Sequence, residues 1–197
     1  MLHRKFIPIT VISLGCILFI GFNIFLFKWE TDAQPLPVLG KVQNFTLTDL
    51  NRQPFGSNNL QGKVWVANFF FTTCSGICPV MSKNIASLTR SFQMTGKVHF
   101  VSISVNPEQD TPEALKAYAA KFPSDNKRWH FLTGPRDTIQ DLSVSSFKIG
   151  SIEEPMFHSA NLVLVDRYMQ IRGYYDGTDQ KAIQKLFTDL AQLTKKR

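Results

Sequence analysis

The chain has 197 residues, enough for one soluble domain with a short appendage, and its hydrophobic content of 44% and charged content of 19% are those of a chain that folds. Its formal net charge of +7 raises the question of a nucleic-acid partner. Outside the C-terminal tail the basic residues are scattered and no nucleic-acid motif accompanies them, which argues against such a partner. We interpret the charge as a solvated surface with some attraction for anionic lipid.

An apolar segment, residues 6–27, follows the basic residues at positions 3–5. As a helix this segment would be roughly 33 Å long, and a hydrocarbon core is about 30 Å thick. The basic residues place the N-terminus in the cytoplasm, and Trp29 suits the far interface. We therefore predict a single-pass anchor, residues 1–27, in a bacterial inner membrane, with the following domain in the periplasm. A cleavable signal peptide is the alternative, but no clear small-x-small cleavage site follows.

The rest of the chain indicates a tethered α/β domain. Residues 28–40 contain Pro35 and Pro37 and are predicted to be a linker, so that the domain covers residues 41–197. An N-terminal β-hairpin is predicted first, and the apolar run from Val64 then predicts a strand buried on both faces. The helix after it carries apolar residues at steps of three and four, namely Ile77, Met81, Ile85, Leu88 and Phe92. Further strands are predicted at residues 97–105, 129–132, 161–165 and 169–175, and further helices from Thr111, over residues 137–147 and after Gly177. The whole pattern fits a mixed sheet flanked by helices.

Two cysteines, Cys74 and Cys78, stand where the buried strand gives way to the helix. The first turn of a helix has free N–H groups and the positive end of the dipole, and both stabilise a thiolate. If the helix begins near Cys74, residues four apart face the same way and the two sulfurs converge. Pro79 is tolerated only in a first turn, which fixes the helix start within a few residues. The third cysteine, Cys16, lies in the apolar segment, so the close pair indicates redox or metal chemistry rather than a disulfide framework.

A thiol pair at such a junction, outside the cytoplasm, indicates a thioredoxin-like fold. Disulfide oxidoreductases have two residues between their cysteines, whereas three stand here. A peroxiredoxin would carry Pro and Thr where this chain has Ala67 and Phe71. Two thiolates bind a soft ion such as Cu(I), and an imidazole would complete a trigonal site. Structural zinc normally takes a fourth protein ligand.

The chain offers 4 histidines as a third ligand. His3 precedes the apolar segment, while His99 and His130 lie within predicted strands, where packing explains them. His158 lies in a loop just before a strand, from which a side chain can reach the cysteine helix. On the residues alone, a surface or core-packed imidazole is a better explanation of His158 than a metal ligand.

Four stretches of the chain, taken together and in order, resemble the signature motifs of the Sco/SenC family. These stretches are residues 43–49, 71–79, 101–112 and 158–166. The family consists of membrane-anchored, thioredoxin-fold proteins that bind copper through a C-x3-C pair and a distant histidine. The resemblance covers roughly residues 39–193 and implies that the copper ligands are Cys74, Cys78 and His158.

The resemblance also implies a function. The chain would bind Cu(I), and also Cu(II), and would help to mature the dinuclear copper centre of cytochrome c oxidase as a metallochaperone rather than as an enzyme. Its implied partners are the copper-centre subunit of the oxidase or another cuproprotein, and a copper donor protein. The alternative is a thiol-disulfide oxidoreductase in which Cys74 and Cys78 form a redox pair acting on a partner's cysteines. In a third hypothesis the chain is an anchored interaction module whose cysteines only staple a loop.

Two positions depart from the family pattern. Ser75 and Gly76 stand where Pro-Asp is usual, and Asn106 stands where an acidic residue usually follows the strand. An acidic neighbour affects thiolate basicity and partner docking. The departures therefore bear more on the identity of the copper recipient than on copper affinity.

Overall fold

The computed structural model describes residues 19–22, 35–124, 127–150 and 159–195. The chain divides into two compact units, residues 1–35 and 36–197. Within the described ranges, no helix combines the length and the hydropathy needed to cross a membrane. The predicted anchor lies outside these ranges except for residues 19–22, which are helical, so the anchor remains a prediction.

A mixed sheet of eight strands organises the second unit, with the strand order β1-β8-β7-β4-β5-β6-β2-β3. In chain order the elements are β1 (Gly40–Lys41), β2 (Thr46–Asp49), β3 (Pro54–Gly56), α1 (Ser57–Leu60), β4 (Val64–Phe70), α2 (Ile77–Ser91), β5 (Val98–Ser104), α3 (Pro112–Ala119), β6 (Trp129–Thr133), α4 (Arg136–Asp141), β7 (Asn161–Val165), β8 (Gln170–Asp176) and α5 (Gln180–Lys195). Strands β4, β5 and β6 are parallel, and β7 runs antiparallel to β4. The carboxyl ends of the three parallel strands therefore share one edge of the sheet, and β7 begins at that edge.

Strand β4 is buried on both faces, as its apolar run predicts. Val66 and Phe70 belong to one hydrophobic cluster, which also contains residues of α2, α3 and α5. Trp65 and Phe69 belong to a second cluster on the other face, where Phe147 packs edge-on against both rings. The alternation of side chains along the strand thus assigns each residue to one of two cores.

The predicted β-hairpin is confirmed as β2 and β3, which pair antiparallel. A Cβ atom at Gly56 would lie 2.0 Å from the carbonyl oxygen of Phe45, so the hairpin closes only with glycine there. Helix α3 also begins as predicted, because the Thr111 side chain accepts a hydrogen bond from the Ala114 N–H and Pro112 is the first helical residue. The single helix predicted over residues 137–147 is instead divided in two. The α-helix α4 ends at Asp141, and a π-helical turn, Leu142–Ser146, follows it directly.

Candidate metal centre

Cys74 and Cys78 lie on either side of the start of α2, just beyond the carboxyl end of β4. The helix begins at Ile77, after Gly76 as its N-cap, and therefore starts later than the sequence pattern indicates. Cys74 lies in a turn in which its N–H donates to the carbonyl of Phe71 at 3.2 Å. Cys78 lies in the first helical turn, and Pro79 follows it there, where a missing N–H breaks no helical hydrogen bond.

The thiols of Cys74 and Cys78 lie close enough to interact, although only Cys78 is part of the helix. Both cysteines are free thiols. The Cys78 side chain is 1% exposed, whereas Cys74 is only partly buried. The Cys78 thiol donates a hydrogen bond to the Cys74 sulfur. The Cys74 sulfur is therefore accessible to a partner, whereas the Cys78 sulfur is buried.

The backbone at the helix start stabilises a thiolate at Cys74. Burial alone raises the pKa of the Cys74 thiol, but hydrogen bonds from the Cys78 thiol and from the N–H groups of Cys78, Gly76 and Ile77 outweigh it. The net pKa lies below the ordinary value for a thiol. These N–H groups lie at the start of α2, where a helix has backbone donors without helical partners, and they stabilise the thiolate as the sequence predicts.

Cys78 is shifted in the opposite direction. Burial raises its pKa, and the hydrogen bond to Cys74 and the negative charge on the Cys74 sulfur raise it further, to about 12. Of the two thiols, Cys74 therefore loses its proton first, and Cys78 keeps its proton after Cys74 has ionised. A soft metal ion that bound both sulfurs would displace the proton on Cys78.

A buried tyrosine lies close to the thiol pair. The Tyr118 hydroxyl is 2.9 Å from the hydroxyl of Ser82, and its ring packs against Phe70 at a centroid distance of 5.1 Å. Burial raises the pKa of Tyr118 to about 12, and the charges on Cys78 and Cys74 add to the effect. The phenol is therefore neutral at physiological pH. Nothing in the sequence pattern connects this residue of α3 with the cysteines.

A buried carboxylate fixes the start of the cysteine loop. Asp110 is 0% exposed and accepts hydrogen bonds from the Thr72 hydroxyl at 2.5 Å and the Thr72 N–H at 3.1 Å. It also accepts one from the Ser104 hydroxyl at 2.5 Å. The sequence places Asp110 in the turn before α3 but gives no sign of these contacts, because their partners are the ends of β4 and β5. We therefore regard Asp110 as a positioning residue that sequence reasoning missed.

Asn106, one of the departures from the family pattern, takes part in the turn after β5. Its N–H donates to the Ser104 hydroxyl at 3.0 Å, and its side-chain amide donates to the Gln109 side chain at 3.1 Å. The side chain is 9% exposed. At this position the chain presents a neutral amide instead of a second carboxylate beside Asp110.

The histidines of the central strands do not join the cysteines. The rings of His99 and His130 contact each other, with Nδ1 of His99 3.3 Å from Nε2 of His130. Phe55 stacks on His130 at a centroid distance of 4.1 Å. The pair lies towards the amino ends of β5 and β6, at the far end of the sheet from the thiols. Packing explains both residues, as their positions within predicted strands indicate.

The third predicted ligand, His158, lies outside the described residues. Across the ranges that are described, no group of three or more His, Cys, Asp or Glu side chains is placed to hold a metal ion. The described residues begin again at Ser159, and Ala160 accepts a hydrogen bond from the Gly177 N–H at 2.7 Å. The Gly177 carbonyl in turn accepts one from the Asn84 side chain of α2 at 2.8 Å. The entry into β7 is therefore linked through Gly177 to the helix that carries Cys78.

A mixed sheet covered on both faces, with a thiol pair between its central strand and the next helix, defines the thioredoxin-like class of α/β proteins. Comparison with known proteins identifies the family within this class to which the chain is similar. The sequence model of the SCO1/SenC family matches residues 36–195. The SCO1 protein homolog of Bacillus subtilis (strain 168) is 30% identical over 175 residues, which cover 85% of this chain and 91% of that protein.

Solved structures agree with this match. BsSco, a member of the Sco family of cytochrome c oxidase assembly proteins, aligns with a TM-score of 0.72 and 28% identity, over 83% of this chain and 99% of that chain. Copper-bound ScoI of Bradyrhizobium japonicum aligns with a TM-score of 0.64 and 25% identity, over 78% of this chain and 99% of that chain. The chain belongs to the SCO1/SenC family.

Proposed function

We propose that this protein binds copper through Cys74, Cys78 and His158 and delivers it during assembly of the dinuclear copper centre of cytochrome c oxidase. The observation that carries the proposal is the pair of converging free thiols at the start of α2, one stabilised as a thiolate. Sulfur donors of this kind suit Cu(I). Membership of the SCO1/SenC family and the likeness to a copper-bound ScoI support copper as the metal.

The path of the chain supports His158 as the third ligand. Strand β7 begins at the sheet edge where β4 ends, since Ala67 faces Val163 in an antiparallel register. Consecutive Cα atoms are about 3.8 Å apart, so the Cα of His158 lies within about 7.6 Å of that of Ala160. This short distance from the entry to β7, which Gly177 links to α2, supports our proposal that the His158 imidazole completes a trigonal site with the two sulfurs.

The charges of the thiol pair suit both the capture and the release of copper. Cu(I) would first meet the exposed thiolate of Cys74, and binding to Cys78 would then release one proton. A three-coordinate ion leaves room for an incoming thiolate of the recipient, so copper can pass on by ligand exchange. The copper donor would be a second partner. We place the domain in the periplasm, tethered by residues 28–40 to an anchor at residues 1–27.

The site is tested by copper binding to the reduced full-length chain. We expect one copper per chain, with X-ray absorption showing two sulfurs and one nitrogen. His158→Ala should remove the nitrogen and weaken binding, while His99→Gln is the matched control because His99 lies towards the opposite end of the sheet. Unchanged affinity and geometry in His158→Ala would refute the ligand assignment.

A thiol-disulfide oxidoreductase is the second candidate, and the opposite pKa shifts of the two thiols favour it. The Cys74 thiolate would attack a partner's disulfide and release one partner thiolate. Cys78, after losing its proton, would attack the Cys74 sulfur of the mixed disulfide and release the second. Two electrons would pass to the partner and leave a Cys74–Cys78 disulfide. The similarity to BsSco, in which a disulfide switch has been identified, supports this alternative.

Oxidase activity in cells under copper limitation separates the two candidates. Loss of activity in both His158→Ala and Cys78→Ser would support copper delivery. Loss in Cys78→Ser alone would support thiol exchange. Serine at both cysteines with no loss of activity would refute both candidates and leave an interaction module.

A further inference from the structure

Four cations gather at the end of the sheet opposite to the thiols. One cleft of about 410 Å³ is lined by Lys63, Lys97 and Arg167, together with His99. A second, of about 530 Å³, shares Arg167 and adds Lys41 and the exposed ring of Tyr168. In the parts of the chain that the structure describes, no acidic residue lines either cleft.

The sheet topology brings these cations together from separate segments. Lys63 and Lys97 directly precede the parallel strands β4 and β5, whose amino ends share one edge of the sheet. Strand β7 runs the other way, so its end meets that edge, and the Gly62 N–H donates to the carbonyl of Arg167 at 3.1 Å. Lys41 on β1 is opposite Gln170 at the start of β8.

The turn between β7 and β8 presents Arg167 and Tyr168 rigidly. The buried Asp166 carboxylate accepts hydrogen bonds from the N–H groups of Tyr168 at 2.8 Å and Gln170 at 3.0 Å. Met169 has a φ of 63°, in the left-handed region that a side chain rarely adopts. The ring of Tyr168 is 68% exposed at the tip of this turn.

Two of the cations also contact the carboxyl end of a helix. Arg167 donates to the Leu193 carbonyl at 3.1 Å, and the Lys97 amine lies 3.5 Å from the Thr194 carbonyl, both near the end of α5. The end of a helix carries about half a negative charge. Both contacts are to carbonyl groups, so they hold the two cations in place without adding a formal negative charge.

We propose that the surface formed by Lys41, Lys63, Lys97, Arg167 and Tyr168, which we call the basic end, binds an anionic phospholipid bilayer. Two adjoining open clefts suit several phosphate groups side by side, and an exposed tyrosine beside cations is typical of membrane interfaces. Binding would leave the thiols, beyond the carboxyl end of β4, facing away from the bilayer. The proposal does not depend on copper binding.

Quenching of an interfacial tryptophan by lipid tests the basic end in the full-length chain. In Tyr168→Trp the new ring should be quenched by brominated lipids in nanodiscs that contain phosphatidylglycerol, and much less in pure phosphatidylcholine. Both this variant and its parent carry Trp29→Phe, because Trp29 is predicted to lie at the membrane interface. The parent then provides the background, because Trp65 and Trp129 are buried at 0% and 2% exposure. Quenching should fall as salt is added.

Charge variants in the Tyr168→Trp background separate a specific surface from net charge. Each cation near an anionic surface contributes about 1 kcal/mol, so Lys63→Gln, Lys97→Gln and Arg167→Gln together should lower the ratio of docked to undocked domain on the order of a hundredfold. The control removes the same charge elsewhere, through Lys83→Gln, Lys116→Gln and Lys121→Gln. Circular dichroism checks that each variant is folded.

Several results would overturn the proposal. Equal quenching in neutral and anionic nanodiscs, or equal loss in the two triple variants, would show that the basic end has no special affinity for anionic lipid. Release by sodium phosphate, but not by sodium chloride of the same ionic strength, would assign the clefts to free phosphate. Release by polyglutamate at matched charge would assign them to an acidic protein.

Discussion

Replacing Asp110 by alanine should destabilise the domain and loosen the loop that carries Cys74. The Asp110 carboxylate is 0% exposed and is the common acceptor for the Thr72 hydroxyl, the Thr72 N–H and the Ser104 hydroxyl. These three donors lie at the ends of β4 and β5. Alanine would remove their shared acceptor without offering a substitute.

The size of the effect follows from the donors left unpaired. A buried donor without a partner costs about 1–3 kcal/mol, and the two hydroxyls can partly recover by rotating towards other acceptors. We therefore expect Asp110→Ala to lower the free energy of unfolding by about 3 kcal/mol. Thr72→Val removes only one hydrogen bond and should lower it by about 1–2 kcal/mol. Since both changes remove the same contact, the double variant should cost less than their sum, by about 1 kcal/mol.

Urea unfolding of residues 36–197, followed through the fluorescence of buried Trp65 and Trp129, would measure these differences. Glu108→Gln is the matched control, because this carboxylate is exposed and its ion pair with Arg136 lies at the surface. It should change stability little. A loss below about 1 kcal/mol in Asp110→Ala, or strict additivity with Thr72→Val, would refute the role assigned to Asp110.

Three further predictions follow from the geometry. Alkylation of the reduced chain should modify Cys74 before Cys78, because the pKa of Cys74 is lowered and that of Cys78 is raised. The pH dependence of the Cys74 alkylation rate should have its midpoint below the ordinary thiol value of 9.0. Peptide mass spectrometry that finds Cys78 modified first would contradict this prediction. Burial lowers the pKa of His130 from 6.5 to about 4. As the pH falls, the His130 imidazole therefore takes up a proton at a higher pH in the unfolded chain than in the folded chain. The free energy of unfolding should fall by up to about 3 kcal/mol between pH 6.5 and pH 4. In urea titrations, His130→Phe should reduce this dependence of stability on pH. Finally, Gly177→Ala would place a Cβ atom 3.0 Å from the carbonyl oxygen of Ala160, and should lower the urea midpoint by an amount equal to about 1–3 kcal/mol; an unchanged midpoint would show that the entry to β7 is not tightly held.

The fold was largely predictable because its signals are local. The burial of β4, the cap at Thr111 and the apolar stripe of α2 each depend on residues close in sequence. The start of α2 was less predictable, since the stripe fixes the face of a helix but not its first residue. The π-helical turn Leu142–Ser146 was not predictable either, because its apolar spacing also fits an ordinary helix.

Some residues of the candidate site could also be predicted from local sequence, and others could not. Cys74 and Cys78 are close in sequence, so their convergence follows from the strand-to-helix junction. Asp110 and Tyr118 approach the cysteines only because β4 and β5 are parallel neighbours, and no local pattern encodes that contact. His158 is proposed as a ligand only through family resemblance, since its position before a strand does not by itself distinguish a ligand from a surface residue.

The parallel pairing of β4 with β5 gives the two ends of the domain different chemistry. Residues that follow these strands, including Cys74 and Asp110, meet at the carboxyl ends, where the N–H groups at the start of α2 stabilise a negative sulfur. Residues that precede them, Lys63 and Lys97, meet at the amino ends, where the end of α5 receives their positive charge. A domain bound to an anionic surface by its cations would therefore present its thiolate to partners on the other side, and one topological feature would set both the copper site and its orientation.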